Sequence, residues 1–116
     1  TGWSASYGST AGDYGRAVAC RSDGTSYFGG NFYGSVNFGG GALTNGTSTV
    51  FVASYTDGNA HRWSENPTSA SSTGQVQGIA VDSSENVYVT GFFRGTLDLG
   101  AGVLTSAGGM DIFVAS

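Results

Sequence analysis

The sequence predicts an all-β chain made of a duplicated unit of short antiparallel strands. Three observations carry that prediction. Identical residues recur 61 positions apart, among them Ala19 and Ala80, Tyr27 and Tyr88, Gly30 and Gly91, Phe32 and Phe93, and Leu43 and Leu104. Glycine is abundant, 21 of 116 residues, beside 13% aromatics, a pairing that favours strands joined by tight turns over a disordered tract. No segment sustains the 3.6-residue apolar spacing of a helix.

Taken in order, residues 3–7 (WSASY) alternate large and small side chains and read as a strand, followed by a loop over 8–15. Ala17-Val18-Ala19-Cys20 is a short apolar strand, Ser22-Asp23-Gly24-Thr25 a turn, and Ser26 to Phe32 the next strand, whose glycines allow a bulge or a close backbone approach. Residues 34–49 form a Gly-rich connection with Val36, Phe38 and Leu43 as apolar plugs. Val50 to Tyr55 is a strand, and Asp57-Gly58 joins it as a hairpin to residues 60–64. A polar loop covers 65–77. From Ile79 the order repeats: strand, turn of Asp82 to Asn86, strand through Phe93, Gly-rich connection, strand at the end. The period drifts by one residue either way, since FVAS at 51–54 returns at 113–116 and Trp3-Ser4 returns as Trp63-Ser64. Small loop insertions produce such drift.

Four short strands per unit in a meander match the size of a β-propeller blade. The expectation is therefore a β-propeller-type repeat of four-stranded antiparallel blades, about two per chain, within one unit over residues 1–116. Residues 1–7 would be a blade-closing strand, 17–64 blade one, and 78–116 blade two lacking its last strand. A blade must stack on neighbours to bury both faces. Two cannot close on themselves, and an edge as apolar as IFVAS is not expected to stay bare. Its partner is expected from another copy, with Trp3, Ser4, Ala5, Ser6 and Tyr7 pairing against Ile112, Phe113, Val114 and Ala115.

Charge is sparse, 10% of residues with a net −4, and all four basic residues are arginines. Nothing here neutralises a phosphate backbone, so nucleic acid is not an expected partner. No apolar run approaches the roughly 20 residues of a spanning helix. With neither an initiator Met nor a leader, the chain reads as a processed or excised segment. The one cysteine, Cys20, rules out an internal disulfide.

The stretch IAVDSSENVYVTGFFRGTLDLG, a Gly-rich run and LTSAGGMDIFVAS resemble the SBBP family of bacterial beta-propeller repeats. The resemblance is close over 78–116 and looser over 17–63, where Cys20-Arg21 stands in place of Val81-Asp82. The family commonly has Gly at the position of Glu85, kept by Gly24 in the first copy, and often Lys at the positions of Ser54 and Ser116. What the resemblance implies is a propeller-like blade in secreted or surface proteins of bacteria, with no catalytic residues to transfer.

Individual residues add little chemistry. His61 is the only histidine, so any Ser–His–Asp or Cys–His site would need it; it reads as a hydrogen-bonding strand residue. One His and one Cys leave no zinc set. Cys20 reads as a small core residue. Asp82 to Asn86 lacks the spacing of a calcium loop and reads as a β-turn capped by its own side chains. Asn45-Gly46-Thr47 fits a glycosylation sequon in an expected exposed loop. Trp3, Trp63 and Tyr33 are candidate sugar-stacking platforms, with packing between blades as the plainer role of the tryptophans. No cofactor and no catalytic set are expected. The expected function is that of a non-enzymatic, exported structural module, secreted or on a bacterial surface, that assembles with itself into a ring or filament. A multivalent carbohydrate-binding propeller is the alternative, with glycans as partners.

Overall fold

The computed structural model describes residues 3–67, 73–100 and 102–116, and among them there is no helix. The first sheet is a meander of β1 (Asp13–Cys20), β2 (Ser26–Asn37), β3 (Ala42–Tyr55) and β4 (His61–Glu65), in that spatial order. The second sheet contains β5 (Thr73–Val81) and β6 (Val87–Arg94); a separate two-stranded hairpin of β7 (Thr96–Asp98) and β8 (Val103–Thr105) follows, and β9 (Asp111–Ala115) returns to lie against β6. All pairings are antiparallel.

The duplication is geometric as well as sequential. The β1–β2 register slips at Arg16, between Gly15 and Ala17, and the β5–β6 register slips at Gln77, between Val76 and Gly78. Each bulge turns a carbonyl into the neighbouring strand. A Cβ on Gly30 would collide with the carbonyl oxygen of Tyr14, and one on Gly91 with that of Gln75. Glycine at both positions is thus a packing requirement of the bulge. The turns repeat too: the amide of Gly24 donates to the carbonyl of Arg21, and that of Glu85 to the carbonyl of Asp82. Both fourth turn positions are left-handed, with φ of 86° at Gly24 and 66° at Glu85.

Several expectations are corrected. Residues 3–7 form no strand in the single chain; they run across the first sheet, where Trp3 meets Tyr55 and Tyr7 meets Phe28, Phe38 and Tyr55. Rings this large gain more by covering an aromatic face than by lying extended in water. The first apolar strand begins at Asp13, not Ala17, and the connection expected over 34–49 shrinks to 38–41 because β2 and β3 continue past a bulge at Tyr33. The polar loop expected over 65–77 ends earlier, since β5 starts at Thr73; the part over 68–72 lies outside the described residues.

Two apolar clusters occupy the two faces of the first sheet. Val50 and Val52 point toward the second sheet and pack with Val76, Val89, Phe93, Leu97 and Phe113, with Trp63 against the edge. Their alternates Phe51, Ala53 and Tyr55 point the other way, with Phe32, Val36 and Phe38, under the cover of Trp3 and Tyr7. Tyr55 is 1% exposed and donates its hydroxyl hydrogen to the Phe38 carbonyl. Burial, reinforced by the Tyr7 hydroxyl, pushes its ionisation well above the ordinary phenol range.

A polar contact joins the sheets at one end. Glu85, on the β5–β6 turn, accepts through one carboxylate oxygen from Arg21 (2.9 Å), Arg62 (3.1 Å) and the Tyr27 hydroxyl (3.3 Å). Arg62 also donates to the Tyr27 and Ser54 hydroxyls. Glu85 holds this place at the cost of a left-handed backbone that disfavours any side chain by roughly 1–2 kcal/mol.

Three tests follow from this packing. Gly91→Ala forces a methyl into the Gln75 carbonyl and is expected to lower stability by about 3 kcal/mol, against under 1 kcal/mol for the unobstructed Gly46→Ala, in urea titrations. Glu85→Ala and Glu85→Gly both remove the clamp, but only glycine relieves the backbone. The glycine variant should be the more stable by about 1 kcal/mol, and equal stability would show that the turn carries no strain. Because Tyr55 ionises less readily folded than unfolded, its contribution is complete below pH 10 and drains away above it. Alkaline unfolding should therefore be steeper for the native chain than for Tyr55→Phe.

Candidate assembly site

The unmatched feature of the fold is β9. In the first sheet the corresponding strand, β3, has β2 on one side and β4 on the other; in the second sheet β9 has β6 on one side and, among the described residues, nothing on the other. The two outer strands are also unlike. β4 carries Arg62 and Glu65 on its sides and runs toward Pro67, the charged and proline-bounded composition that discourages further pairing. Beyond Asp111, β9 is Ile, Phe, Val and Ala, with Ile112 82% and Val114 70% exposed. Its exposed residues share a face with the uncharged Ala80, Tyr88 and Thr90 of the neighbouring strands, and with one charge, Arg94, at the end of β6.

Two depressions flank the end of β9. One, of about 110 Å³, lies between the sheets and is walled by Val52, Trp63, Val87 and Ala115. The other, of about 370 Å³, opens on the side of the β7–β8 hairpin and is walled by Leu97, Val103, Leu104 and Val114. Val103 and Leu104 are themselves exposed. The arrangement offers backbone hydrogen-bonding groups bordered by apolar troughs, which is what an added strand requires.

The other candidate residues are dispersed. Trp63 lies against the cluster between the sheets, 6.1 Å from the Tyr27 ring, while Trp3 packs on the opposite face of the first sheet and Tyr33 stands half-exposed at a bulge. The three rings share no common surface. Asn45 is not in an exposed loop: it belongs to β3, is 7% exposed, and accepts from the amide and hydroxyl of Thr47. A glycan there would require the β2–β3 hairpin to open. Cys20 is exposed, not a core residue, because it shares the outer face of β1 with Val18, itself 71% exposed, where no second sheet packs among the described residues. His61 lies edge-on to Tyr55, covers Gly39 and Gly40, and pairs its Nε2 with the Ser64 hydroxyl at 3.1 Å. Asp82 caps its own turn, accepting from the amides of Ser84 and Asn86; the Asn86 side chain adds a further bond, and together these hold its carboxyl below the usual range. Among the described residues no cluster of His, Cys, Asp and Glu is placed to hold a metal, and no helix is long and apolar enough to cross a membrane.

The Glu85 clamp escaped the sequence reading, although a glutamate at a position where the first copy has glycine was its signal. No curated protein and no solved structure matches the chain. Residues 68–91, spanning β5, the Glu85 turn and the start of β6, match the family model SBBP, described as a beta-propeller repeat. That similarity is confined to those residues, which fall in the second of the two duplicated antiparallel meanders.

Proposed function

We propose that this chain is a non-enzymatic, exported structural module of two propeller blades, the second completed by a strand donated from another copy. The single observation carrying this reading is the open apolar edge of β9, set beside a segment with the right sequence to cover it. Trp63-Ser64 stands ten residues ahead of β5, and Trp3-Ser4 stands ten residues ahead of β1. In the first sheet Ser54 pairs with Trp63, Ala53 with Ser64, and Val52 with Glu65. Carried to the second sheet, that register sets Ser116 of one copy against Trp3 of the next, Ala115 against Ser4, and Val114 against Ala5. The donor must extend from its resting place across the first sheet, as exchanged segments do in domain swapping. Joints of this kind link unlike surfaces, so copies assemble head to tail into a ring or a filament.

Dispersal of Trp3, Trp63 and Tyr33 gives the carbohydrate-binding alternative no shared platform. The test is the native mass of the 116-residue chain across a concentration series, with a synthetic peptide of residues 1–8 as competitor. A multimer that the peptide dissociates is expected. A chain that remains monomeric at every concentration would defeat the proposal.

A further inference from the structure

Building on the proposed head-to-tail assembly, we infer that copies also dock face to face, with Ile112 and Val114 of one entering an aromatic cavity on the first blade of the next. The interface inside one chain supplies the template. There, Val50 and Val52 project from the first sheet onto Val89, Phe93 and Phe113 of the second. The repeat register makes Ile112 and Val114 the counterparts of Val50 and Val52, and Phe28, Phe32 and Phe51 the counterparts of Val89, Phe93 and Phe113. Val50 and Val52 are 0% and 7% exposed, while Ile112 and Val114 are 82% and 70% exposed. The projecting half of this interface thus stands unburied on the second sheet.

The receiving half is open on the first. A cavity of about 160 Å³ lies among Tyr7, Gly15, Phe28, Phe32, Phe38 and Phe51. An apolar cavity of roughly this size takes a benzene-sized group, so an isoleucine side chain fits. Its one carboxylate, Asp13, is already engaged by the amide and hydroxyl of Ser9. Shape follows the same correspondence. The counterpart of Gly15 is Val76, a buried side chain in the contact between the sheets; glycine leaves that space empty in the first sheet, and Ile112 is one methylene larger than Val50. Tyr7, half-buried on this face, belongs to the segment that strand sharing extends away from it. The occupant is therefore a second copy of this chain, presenting the surface that continues the existing stack.

Two substitutions separate the halves. Ile112→Asp removes the projection at an exposed site, and Gly15→Leu fills the cavity where an added Cβ meets nothing within 4 Å. Native mass spectrometry is expected to show each variant alone associating at least ten-fold more weakly than the unmodified chain. An equimolar mixture should form one-to-one dimers, because the Gly15→Leu copy keeps its projection and the Ile112→Asp copy keeps its cavity; those dimers also establish that both variants fold. If either variant assembles as the unmodified chain does, face docking is overturned while strand sharing stands. If the mixture stays as weak as its components, the two surfaces do not meet. An unmodified chain that never assembles removes both ideas.

Discussion

Neither sheet can bury two faces by itself, and the contact of Val50 and Val52 with Phe93 and Phe113 is the constraint on which the rest of the structure depends. A lone hairpin or a small meander is marginal in water, because it removes too little apolar surface to offset the entropy of ordering its backbone. Stacking solves the problem for the inner faces and recreates it at the outer ones. On the first sheet the rings of Trp3 and Tyr7 provide the cover; on the second, Ile112 and Val114 face solvent. The chain is thus apolar at both ends of a two-layer stack, with a different surface at each end.

The sheets can approach and twist alike because their backbones are alike. The bulges at Arg16 and Gln77, and the glycines opposite them, bend both meanders by the same device, so the faces that meet inside the chain have counterparts of similar shape outside it. The Glu85 clamp breaks that likeness. It joins the two sheets of one chain through Arg21 and Arg62, and its first-copy counterpart is Gly24, which has no side chain to offer. Half-exposed ion pairs contribute little stability each, but this one distinguishes the contact within a chain from any contact between chains.

The proposed assembly draws on surface, edge and charge together. An apolar strand edge is usually a hazard; here, beyond Asp111, it is bordered by two depressions and stands beside a face whose repeat counterpart is buried.

The duplicated unit, its turns and most of its strands could be read from residue order alone, since repeats, Asp-Gly turns and β-branched runs are local signals. Val36, Phe38 and Leu43 were recognisable as plugs for the same reason, being apolar residues stranded in a polar run. Only the folded chain decided that Asn45 is covered, that Cys20 is exposed, that residues 3–7 lie across a face instead of forming a strand, and that Glu85 reaches Arg21 and Arg62. Each of these depends on which face of a sheet meets which neighbour. Partners such as Arg21 and Glu85 are 64 residues apart and come together only when the sheets stack, so no local pattern records them.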